Sequence, residues 1–352
     1  MHSSHLPAHS SIERTNCIGT NTYLIGKGPK KVLLDTGEGV PEYIPLLQEA
    51  LDKEYLRNNG NGVEKEERPT ISKVICSHWH HDHVGGIQDV LSFLAARNIQ
   101  LHNPPATAAD AGSASTHTKG LVDVDTSISS APTEVFKFLC PDHDDAETRF
   151  QAIQDRQVIQ VDDQTTLLTL HTPGHTSDHC SFFLKEENTL FTADCVLGQG
   201  TAVFEDLGSY IRSLEKQLSF TEASLVAVGS KGPSYKIYPG HGPIIEDGPA
   251  KIREYIKHRF ERERQVVTVL SGVAGDEDTG SGTGAGAGTG KTAMDIVKVI
   301  YKAYPVALHL PAQHQILLHL KKLEEDGRVR WANGASAEQG LEAVVWELVP
   351  QQ

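Results

Sequence analysis

Residues 77–86 read SHWHHDHVGG and place His78, His80, Asp82 and His83 within six positions. Imidazole and carboxylate are the donors that a borderline divalent cation such as zinc accepts, and neutral imidazole is available at physiological pH. Three later islands each close an apolar run with another donor: His175 in HTPGHTSDH, Asp194 in LFTADCVLG and His241 in IYPGHGP. A lone histidine is more often a satisfied surface or core residue. Seven donors exceed the four positions of a tetrahedral zinc and suit two cations that share a bridge. The bridge needs negative charge, and Asp194 is the natural candidate. The chemistry expected is hydrolysis, with a shared water or hydroxide between the cations as nucleophile.

The elements that must hold these donors are legible from periodicity. ISKVIC, residues 71–76, is apolar and β-branched and predicts a buried strand. Past the glycines, Ile87, Val90, Leu91 and Leu94 recur at helical spacing, so the histidines lie on a strand-to-helix loop. Glycines beside His175 and His241 let the chain turn tightly and aim each imidazole. TNTYLIG and KKVLLDTG predict two adjacent strands joined at residues 26–29, the second leaving Asp35 at its exit. An amphipathic helix begins near Pro41, and residues 58–69 read as a surface loop. QVIQV, QTTLLTLHT and the two arms of CSFFLKEENTLFTAD predict four strands. SYIRSLEKQL predicts a helix and SYKIYPGHG another strand. A long charged helix follows over residues 250–270.

Two stretches lack periodicity. Residues 103–145 read as an inserted loop, with a short strand possible at VFKFL and with His117 and His143 solvated. Residues 272–290, GVAGDEDTGSGTGAGAGTG, contain too few apolar groups to order themselves and predict a linker. The domain boundaries expected are therefore 1–271 for a catalytic domain, 272–290 for the linker and 291–352 for a winged-helix-like domain. The stretch AGAGTGKT loosely matches a phosphate loop, but no strand precedes it, so it carries no nucleotide expectation.

H-x-H-x-D-H followed by separate His, Asp and His islands resembles the metallo-β-lactamase superfamily, from about residue 20 to 270. GTNTYLIG, LLDTGEG, TPGHTSDH, VFEDLGSYIRSL and YPGHGP resemble one subgroup more closely. That subgroup carries a carboxy-terminal helical domain. It holds beta-lactamase-like endoribonucleases that cut single-stranded RNA, and fungal thioesterases that release polyketides from an acyl carrier protein. The resemblance implies an α/β fold, an αββα sandwich with a C-terminal winged-helix-like domain, and two Zn2+ per chain. It further implies that His78, His80 and His175 hold one zinc, that Asp82, His83 and His241 hold the other, and that Asp194 bridges. Asp82 would also accept and donate the proton, and Asp35 would steady the metal loop from behind. His258, Arg259 and Arg262 fall near family-typical positions for contacting an anionic substrate. The chain departs from the pattern at its first strand, which reads as shortened, and in the two insertions.

Composition narrows the function classes. The chain has 352 residues, is 38% hydrophobic and carries a formal charge of −14. That charge repels polyanions at long range. Five cysteines (Cys17, Cys76, Cys140, Cys180, Cys195) include no C-x-x-C pair and fit a reducing interior. No apolar run reaches membrane-spanning length, and the first residues form neither a signal-peptide core nor an arginine-rich presequence. The expected setting is cytoplasmic, with the mitochondrial matrix as the other choice. The expected activity is zinc-dependent hydrolysis of an acyl thioester, free or on an acyl carrier protein. Endonucleolytic cleavage of single-stranded RNA is the alternative, and a non-enzymatic metal-containing scaffold a third class.

Overall fold

The computed structural model describes residues 12–17, 19–59, 67–102, 133–227, 235–272, 290–332 and 340–350. The chain divides into two compact units. One comprises residues 1–171, 178–200 and 236–245; the other comprises 172–177, 201–235 and 246–352.

The first unit is built on two sheets. In the six-stranded sheet, β1 (Ile12–Cys17), β2 (Thr20–Ile25), β3 (Lys30–Leu34), β4 (Thr70–Cys76), β5 (Glu134–Lys137) and β6 (Phe150–Ala152) lie side by side in chain order. The first three pair antiparallel and the rest parallel. Parallel neighbours need a crossover. One is provided by α1 (Tyr43–Asn59), which links β3 to β4. The helices α2 (His81–Val84) and α3 (Ile87–His102) follow β4 before the chain returns as β5. The five-stranded sheet runs β11 (Lys236–Pro239), β10 (Thr189–Ala193), β9 (Cys180–Leu184), β8 (Thr165–His171) and β7 (Val158–Asp162).

Side-chain alternation explains the layers. Tyr23, Ile25, Val32, Leu34 and Ile75 point to a core shared with Leu167, Phe182, Leu184 and Phe191 of the second sheet. Their neighbours Leu24, Leu33, Val74 and Cys76 point the other way, onto Tyr43, Leu47 and Leu51 of α1 and Ile87, Val90 and Leu94 of α3. A strand buried on both faces must be apolar at nearly every position, as β3 and the end of β4 are. Each such Leu or Ile, fully buried, contributes about 1.5–3 kcal/mol.

This topology gathers strand exits. β3 and β4 are parallel, with Leu34 opposite Ile75, so Asp35 and Ser77 emerge together. β10 and β11 are parallel, with Ala193 opposite Pro239, so Asp194 and His241 emerge together.

The second unit contains α4 (Leu207–Ala227), α5 (Gly248–Leu270) and a winged helix. The latter comprises α6 (Ala293–Ile300), α7 (His309–Glu325) and a sheet of β12 (Lys291–Thr292), β14 (Val345–Leu348) and β13 (Val329–Trp331). Its core joins Val266, Val269 and Leu270 of α5 to Ile296 and Val297 of α6, Ile316 and Leu320 of α7, and Trp346. The last turns of α5, which precede the expected linker, thus belong to the winged helix's core. Ile316 to Leu320 are all buried, while Leu310, His314, Lys321 and Glu325 keep the two ends of α7 exposed. Thr292, the last residue of the loose phosphate-loop match, is the N-cap of α6 and forms a capping box with Asp295.

The first strand is not shortened: β1 pairs with β2 at six positions. Most of the expected linker, residues 273–289, and most of the inserted loop with His117, residues 103–132, lie outside the described residues. β5 covers most of VFKFL. Among the described residues, no helix is long and apolar enough to cross a membrane.

Candidate metal centre

Two donor groups converge. His78, His80, His175 and Asp194 form one, and Asp82, His83 and His241 the other; within each group one donor atom per residue lies within 4.8 Å of the rest. The separations match those of ligands around an ion. Tetrahedral zinc with bonds of about 2.0–2.1 Å sets its ligands about 3.3 Å apart. His78 Nε2 lies 3.1 Å from His80 Nδ1. His83 Nε2 lies 3.4 Å from Asp82 Oδ2 and 3.3 Å from Asp194 Oδ1. His241 Nε2 lies 3.2 Å from both Asp82 Oδ2 and Asp194 Oδ2. Asp194 belongs to the first group and faces both histidines of the second, as a bridging carboxylate must.

The other ring nitrogens fix which atoms face inward. His83 Nδ1 is 2.8 Å from Asp35 Oδ2 and donates to it. His241 Nδ1 donates to Gly19 O at 2.9 Å, and His175 Nδ1 to Val203 O at 2.7 Å. His78 Nδ1 meets Ser77 Oγ at 2.9 Å, while that hydroxyl donates to Asp35 Oδ2 at 2.9 Å. Each of these four rings thus turns Nε2 toward the centre. Asp35 is itself 2% exposed and sits at φ +61°. It accepts a third bond, from the Ser77 amide at 2.7 Å. A non-glycine residue held in the left-handed region is locally strained.

Charge completes the test of fit. Burial works against the ionised Asp194, yet His83 and His241 hold its pKa well below the carboxylate range. At Asp82 burial also opposes ionisation, and His241, His83 and Thr20 together hold its pKa low. Burial likewise disfavours a charged His83, but Asp194 and Asp35 raise its pKa well above the imidazole range. Hydrogen bonds to Asp194 and Asp82 push His241 up to about 10. The carboxylates thus demand positive charge at this spot, which the bare protein can offer only by protonating histidines. His83 Nε2 is buried and makes no aligned hydrogen bond. A Cβ at Gly240 would lie 2.3 Å from Asp194 Oδ1 and 3.0 Å from His83 Cε1, so only glycine leaves the cradle open. These observations fit a pair of divalent cations.

Some supporting residues have no sequence signature. Thr20 Oγ1 donates to Asp82 Oδ2 at 2.9 Å. Gly19 and Val203 act through carbonyls. The only available signal was GTNTYL, whose Asn21 ties β2 to the His241 loop by donating to Pro239 O and Gly242 O at 2.8 and 2.9 Å. Trp79, inside the histidine loop, stacks on His143 at 4.0 Å between ring centroids.

The three residues expected to meet an anionic substrate are placed differently from one another. His258 is exposed. Arg262 lies over the Tyr301 ring at 4.6 Å. Arg259 is 7% exposed, donates to Ala202 O at 3.0 Å and stacks on Phe204 at 4.7 Å. It is thus enclosed by protein rather than presented to a substrate, because the apolar length of its stem and its flat guanidinium both find aromatic partners.

Residues 15–241 match the metallo-beta-lactamase superfamily, and residues 292–335 match the beta-lactamase associated winged helix domain. Beta-lactamase-like protein 2 homolog of Caenorhabditis elegans is 34% identical over 328 residues, 91% of this chain and 86% of that protein. Lactamase-like protein aptB of Emericella nidulans is 32% identical over 320 residues, covering 91% and 80%. The solved beta-lactamase domain protein from Burkholderia ambifaria shares the fold with a TM-score of 0.58 at 12% identity, covering 96% of this chain and 92% of that one. With both of its parts matched in order, the chain belongs to the metallo-beta-lactamase superfamily, in the branch that carries the associated winged helix.

Proposed function

We propose that the protein is a dinuclear zinc-dependent hydrolase of acyl thioesters, with an acyl group carried on a small thiol or on an acyl carrier protein as substrate. The observation that carries this reading is the Asp194 carboxylate, shared between two donor groups of ligand spacing. When bound, the two ions would polarise the substrate carbonyl and make water nucleophilic at neutral pH.

The chain's own residues divide the remaining work. Asp194, 11% exposed at its side chain, is held between His83 and His241 and keeps the two positions at fixed spacing. Asp82 is 37% exposed at its side chain and so is open to a reacting molecule. It is ionised at neutral pH and so can take a proton from water and return it to the departing thiolate, its depressed pKa making it a weak base for that task. Thr20 occupies one lone pair of Asp82 Oδ2 and fixes where the carboxylate points. Asp35, through Ser77 and His83, sets the orientation of the histidine loop.

Acyl chemistry is favoured over RNA on two grounds. A formal charge of −14 opposes the approach of a polyanion. The middle of the winged helix's second helix, Ile316 to Leu320, is buried and leaves fewer of its positions free to read a groove. Four buried thiols among the described residues, Cys76, Cys140, Cys180 and Cys195, suit a reducing compartment such as the cytoplasm. The deciding experiment is a parallel assay of zinc-loaded protein on acyl thioesters and on single-stranded RNA, each with a chelator control. Chelator-sensitive thioester turnover is expected. Chelator-sensitive RNA cleavage with thioesters untouched would overturn the acyl reading.

A further inference from the structure

Arg259 is a buried cation, and among the described residues no carboxylate pairs with it. A charge left in that position is costly unless it serves something. Its guanidinium spans the Phe204 and Tyr210 rings, at 4.7 and 5.6 Å, and donates to the Ala202 carbonyl at 3.0 Å. The next carbonyl along, that of Val203, accepts from His175 Nδ1 at 2.7 Å. Ala202, Val203 and Phe204 alternate buried, exposed and buried, so successive groups of this segment face opposite ways. One carbonyl is tied to α5 and the next is tied to the metal-site histidine.

The same segment is closed against the His175 turn from its other end. Glu205 and Asp206 amides donate to Gly174 O at 2.7 and 3.1 Å. Gly174, at φ +128°, leaves no room for a side chain, since a Cβ would stand 2.3 Å from the Tyr210 amide nitrogen. His175 therefore receives its direction from a short brace that Arg259 anchors with a charged group.

We infer that Arg259 is a positioning residue for the metal centre: by clamping Ala202–Phe204 it sets the Val203 carbonyl that orients His175. This rests on the two-cation reading above. It assigns Arg259 to the assembly of the group His78, His80, His175 and Asp194, not to substrate.

The test is a competitive chelator titration of zinc on the full chain, followed in parallel by the visible spectrum of the cobalt-substituted protein. His175→Ala and His241→Ala identify which binding step belongs to which group. Arg259→Met removes the fork and the charge, Arg259→Lys keeps the charge without the planar stack, and Arg264→Met is an exposed control on the same helix. Both Arg259 variants are expected to weaken the His175 step by tenfold or more and leave the His241 step within threefold, the scale for a lost outer partner of a metal ligand. A mere packing role would lower the melting temperature and weaken both steps alike, which overturns the inference. So would unchanged metal binding, or a raised KM for an anionic thioester with both metals retained. Wild-type protein that binds one ion, weakened by Arg259→Met, would sink the two-cation reading and leave the positioning role standing. If Arg259→Met does not fold, Arg259→Lys decides by the same criterion.

Discussion

Replacing Asp35 by Asn isolates the support behind the histidine loop. Asp35 sits at φ +61°, a conformation that Asn tolerates better than most residues, so the backbone cost of the change is small. What changes is hydrogen bonding. The aspartate accepts from the Ser77 amide, the Ser77 hydroxyl and His83 Nδ1, at 2.7, 2.9 and 2.8 Å. Asparagine has one oxygen, and in either amide orientation its NH2 meets a donor. If the NH2 faces His83, that ring must tilt or move its proton to Nε2, the atom the metal needs. If the Ser77 hydroxyl turns to accept from the NH2, it donates to His78 Nδ1 and forces a proton onto His78 Nε2 instead. On that side a metal-facing nitrogen loses its lone pair or its aim, and with the NH2 turned to the Ser77 amide two donors oppose each other and the loop must shift. A lost outer partner of this kind costs about 10–100-fold in metal affinity, or about 1.4–2.7 kcal/mol. Chelator competition on the Asp35→Asn protein measures it directly, with circular dichroism to show that the fold persists. Zinc affinities within threefold of wild type at both steps would refute the assigned hydrogen-bond chain.

Asp82→Asn and Asp194→Asn should differ in kind when zinc content is plotted against turnover. Asp82→Asn is expected to recover zinc when the metal is raised, yet stay slower by about 10² through loss of proton transfer; recovered turnover would make Asp82 a ligand alone. Asp194→Asn should chiefly lose metal, because two cations then face each other unshielded, and full zinc retention would count against the bridge. Gly240→Ala should empty the centre without unfolding the protein, as its methyl enters the space beside Asp194 Oδ1, and elemental analysis of folded protein checks it. His319 is held neutral, its pKa lowered to about 3 by burial and then by Arg259 and Arg262. The unfolded chain takes up that proton near pH 6.5, so its contribution is full above that pH and is lost as pH falls toward 3. The slope is about 1.4 kcal/mol per pH unit. Denaturant melts of wild type and His319→Gln at pH 7 and pH 5 should converge if this is right, and parallel behaviour would count against it.

The donors that the structure brings together were legible because each island of them follows an apolar strand, and the strand ends of an α/β fold face the crevice. The groups that aim those donors were mostly not legible. Gly19 and Val203 contribute backbone carbonyls, which any residue type has, and nothing in the composition of their neighbours marks them. Arg259 reads as one charge in a solvated helix. Its burial depends on Phe204 and Tyr210, far away in the chain. The helix α7 shows the same limit: LLHLKK has the polar residues of a surface helix, yet His319 is 2% exposed because other helices enclose it. Composition likewise marks a linker but not which side of it the last turns of α5 pack on.

Gly240 and Gly174 offer a way to tell a working centre from a relic among related chains. Donor residues can outlast the site they once served, since His and Asp are tolerated at loop ends for other reasons. A missing side chain is harder to keep without cause. At position 240 anything beyond hydrogen would strike a bridging oxygen, and at 174 it would strike the start of α4. A relative with all seven donors but alanine at either place is expected to be a metal-poor copy, while one with both glycines has kept the space in which the donors can close on an ion. At these two positions the absence of a methyl group is thus a more demanding record of function than the presence of the ligands.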